Sequence, residues 1–275
     1  MSERPIAADF MKGFTETDYK DHTTALQKKI PGIGFTIIVQ KPFVIIGDAD
    51  SSDVVLFAEH TVEWAVDMLK QDYFDTDPDD IIDIWLFKDE ESYNRNAREV
   101  FGAEPTSPYG YYLEEEKALV MNIGTGGGTL VHEIVHPFIK ANFPECPPWF
   151  NEGLASLYEQ CSENNGHIYG HTNWRLKGLQ EAIKNKAVKF FKTLTSMDAS
   201  TFYNNEDRGA NYSQARYLCY YMQEKRLLVK YYQSFYRNRK QDPTGYKTLK
   251  KILGVNNMKA FQKTWENFVL GLTFP

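Results

Sequence analysis

The sequence is poor in cysteine and contains no long apolar run. Its three cysteines, Cys146, Cys161 and Cys219, form no close-spaced ligand pattern and cannot all pair with one another. They argue weakly for a reducing compartment or for buried thiols. No stretch approaches the roughly 18 apolar residues of a membrane helix, and the amino terminus lacks a signal-peptide core. We therefore expect a soluble protein with no membrane partner, cytoplasmic as written, or secreted or periplasmic if a leader was removed.

The composition is sufficient for a large core, and the charge is unevenly distributed. With 275 residues, 42% hydrophobic and 15% aromatic, the chain needs neither a metal nor a disulfide to fold. Residues 1–170 hold 12 Lys and Arg against 30 Asp and Glu, whereas residues 171–275 hold 19 against 7. This asymmetry favours an acidic lobe packed against a basic lobe across a cleft. A basic half that attracts an anionic partner is the alternative.

The most informative stretch is residues 132–136, which read His-Glu-Ile-Val-His after a run of glycines. In a helix, four residues bring His136 back to within about 40° of His132, so both imidazoles project from one face. Two neutral imidazoles placed in this way can hold one Zn²⁺. Glu133 is rotated off that face, where it can reach a water on the metal more readily than coordinate. The pattern predicts a metal ligand pair with its general base.

A second helix is predicted shortly downstream, in residues 147–158. Prolines suit its first turn, and apolar residues recur at helical spacing, which predicts a stripe facing a core: Phe150, Leu154, Leu157 and Cys161. Glu152 lies on the other side, and its small neighbours Ala155 and Ser156 would let this helix approach the histidine helix closely. A carboxylate there would complete a three-ligand site and leave the fourth position to water.

These two segments resemble the gluzincin metallopeptidases, in particular the peptidase-MA-like group, whose second motif is similar to Trp-Phe-x-Glu-Gly-Leu-Ala. That motif occupies residues 149–155 here, and the close match covers about thirty residues, from 129 to 158. The resemblance implies a zincin-like fold and zinc as the cofactor. It also implies the site residues, namely His132, His136 and Glu152 as zinc ligands and Glu133 as the catalytic base.

Two positions depart from the family pattern. Thermolysin-like members carry an Asp four residues after the ligand Glu, as an outer partner that orients a ligand, whereas this chain has Ser156. The outer partner of the first histidine is therefore unassigned. Pro137 directly follows the second histidine and removes the helical hydrogen bond to the carbonyl of Glu133, so we expect a kink there.

A zinc peptidase also needs a donor for the oxyanion of its tetrahedral intermediate, and the resemblance implies a His or Tyr from the helical half. Tyr212, which follows a loop and opens a helix, is the candidate, and an ordinary core or surface tyrosine is the alternative. Asn122 and Arg216 are further candidates. The predicted function is zinc-dependent hydrolysis of peptide bonds in a peptide or protein substrate, through a metal-activated water with Glu133 as general base.

Two functions of other classes stay open. One is a catalytically silent zincin-fold module used for binding or scaffolding, which Pro137 and Ser156 suggest. The other is anion or nucleic-acid binding through the basic C-terminal half, although nucleic acid is not the expected partner. The sequence does not indicate an oligomeric state.

The predicted fold class is α+β and zincin-like, with a mixed-sheet N-terminal lobe and an all-helical C-terminal lobe. We expect a poorly packed lead-in over residues 1–30, an α/β lobe over 31–128, a zinc-site helix pair over 129–160 and a helical lobe over 161–275, in one two-lobed catalytic domain. Helices should cover one face of the sheet. By resemblance, residues 118–123 would be the edge strand that lines the cleft and binds an extended peptide.

Three other features have plainer interpretations. The glycine run at 124–128 lacks the lysine of a phosphate-binding loop, and indicates a joint that lets backbone pass close to substrate. His167 and His171 repeat the i, i+4 spacing, but the glycines before each favour loop histidines over a second metal site. The aromatic and basic residues at 231–240 fit a core helix with a solvated basic face better than a nucleic-acid surface.

Overall fold

A mixed five-stranded sheet forms the first half of the protein. The computed structural model describes residues 13–204 and 208–275. The strands of this sheet are β1 (Thr36–Gln40), β2 (Phe43–Gly47), β3 (Ile82–Phe87), β4 (Gly110–Leu113) and β5 (Ala118–Asn122). Their order is β1-β2-β3-β5-β4, with β2, β3 and β5 parallel and both outer strands antiparallel to their neighbours. The predicted strands and the mixed sheet are confirmed.

Helices occupy the connections of the sheet and most of the second half. In the first half they are α1 (Glu16–Leu26), α2 (Ser51–Phe57), α3 (Trp64–Asp72) and α4 (Glu90–Phe101), with a π-helical turn, Ala58–Glu63, joining α2 to α3. The next two are α5 (Gly128–Asn142) and α6 (Pro148–Leu157). The remainder are α7 (Arg175–Lys184), α8 (Phe191–Thr195), α9 (Ala199–Phe202), α10 (Arg208–Glu224), α11 (Leu228–Asn238), α12 (Tyr246–Ile252) and α13 (Met258–Leu270). The α+β class is confirmed.

The edge strand beside the metal motif is β4, so the prediction for residues 118–123 is wrong. Strand β5 lies between β3 and β4, and all five of its residues are buried. After the acidic turn that follows Leu113, β5 runs back antiparallel to β4, and Tyr111 pairs with Val120. Strand β4 is therefore on the outer side of β5. A strand buried on both faces has an uninterrupted apolar sequence, as Ala-Leu-Val-Met does, and that is the pattern of an inner strand.

Helices cover both faces of the sheet, where one face was expected. One core cluster packs Ile45, Ile84 and Leu119 against α2, α3 and α5, and a second packs Val44, Trp85 and other side chains of the opposite face against α1 and α4. The cause is visible in β2 and β3, in which every residue is buried. Alternate side chains of such strands point to opposite faces, so both faces need cover.

Helix α1 makes part of the expected lead-in a packed element, so the prediction of poor packing is wrong for residues 16–26. Thr15 and Asp18 form a reciprocal capping box at its start. Tyr19 and Leu26 are buried in the second core cluster. Residues 1–12 lie outside the described residues.

The second half is helical, with one addition. Residues 161–170 form a hairpin of two short strands, β6 (Cys161–Asn164) and β7 (His167–Gly170), where only a helical lobe was expected. His167 therefore lies in a strand, not a loop. Apart from this hairpin, the expected helical character of the second half is confirmed by helices α7 to α13. In the described residues, no helix is long and apolar enough to cross a membrane.

Helices α6 and α10 pack most closely where a glycine removes a side chain. A Cβ on Gly153 would lie 3.0 Å from both the carbonyl oxygen of Ala215 and the sulfur of Cys219. Any larger residue at this position would force the two helices apart. The contact fixes α6, which carries Glu152, on the helical half of the molecule.

Candidate metal centre

Helix α5 presents its two histidines on one face, as the spacing requires. The rings of His132 and His136 have centroids 4.9 Å apart and planes inclined at 77°. The helix is continuous from Gly128 to Asn142, and Pro137 lies inside it. The proline removes one backbone donor and does not end the helix.

Helix α6 brings a carboxylate to the same point. Its start is favoured by Pro148 at the first helical position, and Glu152, one turn later, is buried. Glu152 Oε2 lies 3.4 Å from His132 Nε2 and 3.8 Å from His136 Nε2. One ligand atom from each of the three residues lies within 4.8 Å of the others. Ligands about 2.05 Å from a tetrahedral ion are separated by roughly 3.4 Å, so the cluster has the dimensions of a metal site.

One side-chain oxygen of Glu152 is buried without a hydrogen bond. Its Oε1 accepts a hydrogen bond of 2.9 Å from the Tyr203 hydroxyl. Its Oε2, which faces the two histidines, is buried and has no hydrogen-bond partner. A buried carboxylate oxygen without a partner is costly, and a bound cation between the three side chains removes that cost. The residues present therefore fit a metal ion.

A second side chain faces Nδ1 of each histidine. The side-chain oxygen of Asn151, the residue before the carboxylate ligand, lies 2.9 Å from His136 Nδ1. Glu159 Oε1 lies 3.4 Å from His132 Nδ1. Asn151 thus holds the ring of His136 by a hydrogen bond, whereas His132 Nδ1 forms no hydrogen bond and Glu159 faces this ring as a charged neighbour. The unassigned outer partner of the first histidine is thus Glu159, and not the residue at 156.

Glu159 is itself held rigidly. Arg175 donates two hydrogen bonds to it, from Nε at 2.8 Å and from a terminal nitrogen at 2.6 Å, and Asn173 donates a third at 2.9 Å. A bidentate arginine fixes both the position and the plane of a carboxylate. Sequence reasoning missed Glu159 because it lies beyond the end of α6, where helical spacing no longer applies.

The electrostatics of the cluster keep its carboxylates ionised. Burial alone would raise the pKa of Glu152, but the neighbouring His136 and His132 hold it at about 2. Burial likewise opposes ionisation of Glu159, whose pKa is brought down to about 2 by Arg175 and His132. Burial alone would lower the pKa of His132, but Glu152 and Glu159 raise it to about 10 in the metal-free chain. In the metal-free chain His132 is therefore protonated at neutral pH, and a metal ion must displace that proton to bind its nitrogen.

The glycine run places the start of α5 against the loop that carries Glu159. A Cβ on Gly128 would lie 2.1 Å from the carbonyl oxygen of Glu159, so only glycine fits without moving the backbone. Gly126 has a φ of +99°, in the region that favours glycine. The glycine run therefore lets the backbone pass close to the protein's own loop at Glu159.

A cavity of about 940 Å³ opens over the cluster. Its walls include β4, the glycine run, the π-helical turn and the first residues of α7. Glu133 lies in it and is half-buried, beside the ligand pair. Tyr212 and Tyr203 both line it, with ring centroids 6.3 Å apart. The role of Tyr212 as an oxyanion donor stays a prediction.

The two further candidates for that role are engaged in holding the fold. Arg216 is fully buried and donates to the carbonyl oxygens of Ser156, Leu157 and His171, where it caps the end of α6. The side chain of Asn122 accepts from the backbone of Gly124 and donates to that of Pro108. Neither side chain lines the cavity, so neither guess is supported.

The remaining histidines of the pattern make local contacts. His167 Nδ1 lies 2.5 Å from the buried carboxylate of Asp72, and His171 Nε2 lies 2.7 Å from the Ser162 hydroxyl. Each contact fastens one end of the β6–β7 hairpin.

Comparison of the chain with known protein families and with curated proteins found no match.

Proposed function

We propose that this protein is a zinc-dependent metallopeptidase of the gluzincin type. One observation carries the proposal: two imidazole nitrogens and an unpartnered, buried oxygen of Glu152 converge on one point at the base of a large cavity. Two histidines and one carboxylate are one of the ligand sets of catalytic zinc sites, which keep a fourth position open. Magnesium and calcium prefer oxygen ligands throughout, so the donor set favours a transition metal, and the glutamate that follows the first histidine favours zinc.

Glu133 supplies the proton transfers in this proposal. Bound zinc would lower the pKa of a water molecule and polarise the scissile carbonyl. Glu133 follows the first ligand on α5 and lies in the cavity rather than in the cluster. From there its carboxylate accepts the proton of the attacking water and delivers it to the leaving amine.

The walls of the cavity suit a peptide bound in extended form. Strand β4 is an edge strand and lines the cavity, so a substrate can add to the sheet as a further strand. The Tyr203 hydroxyl donates a hydrogen bond to Glu152. The ring of Tyr212, in the helical half, lies beside the ring of Tyr203. Tyr212 is our candidate donor to the developing oxyanion.

The test combines metal content with turnover. Zinc is measured by mass spectrometry on wild type and Glu152→Ala, and cleavage of casein is measured on wild type and Glu133→Gln. We expect near-stoichiometric zinc in wild type, its loss in Glu152→Ala, and zinc-loaded Glu133→Gln with activity reduced by 10²-fold or more. Glu181→Gln, on the exposed face of α7, is the matched control and should behave as wild type.

Each departure from this result has a distinct meaning. Zinc bound without turnover of any substrate would indicate a silent zincin used as a binding module. Absence of zinc from the wild-type protein would contradict the metal site itself.

A further inference from the structure

Most charged groups in the cavity already have partners or roles. Among the described residues that line it, Arg175 is the single lysine or arginine, and both its bonds go to Glu159. The acidic residues are Glu133, Glu152 and Glu159, which serve as base, ligand and support. His60, on the π-helical turn, is the one histidine of this described lining besides the two in the cluster. A peptidase that removes terminal residues needs a group to hold a terminal charge, and this lining provides little for that purpose.

One wall of the cavity is instead aromatic and continuous. The Arg175 guanidinium carbon lies 6.0 Å from the ring centroid of Trp174 and 5.4 Å from that of Tyr212. The rings of Tyr212 and Tyr203 are in contact, and Tyr203 donates to the ligand Glu152. The wall therefore runs from the metal cluster to the rim, and its one cation is neutralised by Glu159.

The outer end of this wall is an exposed aromatic ring. Trp174 is 52% exposed although it lines the cavity, and a second exposed ring of the lining, Tyr109 before β4, is 54% exposed. Exposed aromatic rings beside a binding cavity mark a contact surface for an apolar ligand. The backbone of Trp174 is held in place, because it occupies the N-cap position of α7 and the next residue is bound to Glu159.

We propose that the site takes an internal stretch of an extended polypeptide, and that Trp174 selects a bulky apolar side chain close to the cleaved bond. The inference rests on the proposed peptidase function and names its substrate class. The neutral wall accepts the apolar side chain, and the described lining residues leave no unpaired lysine or arginine to anchor a chain terminus. Trp174 is thus a specificity-determining residue.

The experiment uses matched octapeptides, acetylated and amidated, that differ at one position occupied by Phe, Ala or Asp. Cleavage is followed for zinc-loaded wild type, Trp174→Ala and Phe190→Ala. Phe190 is 57% exposed and lies outside this cavity, so its variant is a matched control. Binding of fluorescein-labelled versions to Glu133→Gln, with and without Trp174→Ala, is measured by anisotropy, which does not depend on turnover.

We expect internal cleavage of end-blocked peptides, with kcat/KM for the Phe peptide about tenfold above the Ala peptide. Trp174→Ala should reduce that ratio to about twofold, chiefly through KM, and Phe190→Ala should retain it. Blocked ends that abolish cleavage, or a Trp174→Ala effect equal for the Phe and Ala peptides, would overturn the inference.

The binding measurement separates the two proposals. If the protein cleaves no peptide but binds the Phe peptide more tightly, and Trp174→Ala removes that preference, the proposed peptidase function is contradicted. The apolar contact at Trp174 is then supported. If the Phe and Ala peptides are cleaved and bound equally well, the peptidase function is supported and the role of Trp174 in specificity is contradicted.

Discussion

At the scale of single residues, Glu159 joins the metal cluster to the helical half. One of its oxygens faces His132 Nδ1, and both accept from Arg175. Its carboxylate therefore stands beside the ring of His132, where its charge would make the imidazole a stronger donor to a bound metal ion. Arg175 needs the same carboxylate, because its side chain is largely buried and has no other acidic contact in the described residues.

Replacement of Glu159 by Gln should weaken zinc binding by about 10–100-fold while the fold persists. The amide keeps the shape of the side chain but cannot supply the negative charge. Affinity is measured by competition with a chelator, with circular dichroism as a check on folding. Glu181→Gln is the control, since that glutamate is exposed on α7 and remote from the cluster. Equal zinc affinity of Glu159→Gln and wild type would contradict the role of Glu159.

The residues that sequence predicts at the site are those fixed by local periodicity. His132 and His136 are one turn apart on one helix, and Glu152 follows a predictable helix start, so their convergence could be foreseen. Tyr203, Glu159 and Arg175 could not, because each reaches the cluster from a loop or from the start of another helix. No spacing rule connects such positions.

At the scale of elements, the start of α5 depends on close backbone contact. The ideal Cβ of residue 128 would lie 2.1 Å from a backbone oxygen of the loop that carries Glu159. Backbone cannot move aside as the end of a flexible side chain can, so the contact sets how closely α5 approaches this loop.

Gly128→Ala should destabilise the protein by about 1–3 kcal/mol and weaken zinc binding, because α5 or the Glu159 loop must shift. Urea unfolding and zinc titration provide the measurements. Gly178→Ala is the matched control: that glycine lies within α7 with no heavy atom near its Cβ position, and alanine there should stabilise by about 0.5–1 kcal/mol. A Gly128→Ala protein as stable as wild type would contradict the close contact.

Strand order is the element-scale property that the sequence did not predict. Each strand is recognisable by its apolar run, but pairing is decided by contacts between distant segments. The assignment of the edge to 118–123 failed for this reason, although the fully apolar β5 is the pattern of an inner strand. Strands β2 and β3 are likewise buried at every residue, which is the pattern of strands covered on both faces.

At the scale of the whole molecule, the candidate metal site connects the two halves. Helix α5 packs on the sheet, while α6 packs on α10 of the helical half, where Gly153 allows close approach. A metal bound by residues of both helices therefore holds sheet and helices together. Stability of the whole chain should depend on metal occupancy.

Zinc at 100 times its dissociation constant should stabilise the folded protein by about 2.7 kcal/mol, which corresponds to a rise in Tm of the order of 5 °C. Calorimetry or dye-based melting with zinc and with chelator provides the measurement. Glu152→Ala is the control and should melt at the same temperature in both conditions. An equal Tm of wild type with and without zinc would show that the metal does not bind the folded state selectively.

The three proposed ligands lie within 21 residues of chain, on two consecutive helices. We expect contacts so close in sequence to form before strands from distant segments pair, because they close a short loop. On the proposed function, a chain whose helix pair has formed would capture a metal ion while its second half is still unordered. Arg175 and Tyr203, which contact Glu159 and Glu152, would join the cluster later. Metal capture would then precede activity, and a chain caught between the two stages would be loaded but inert.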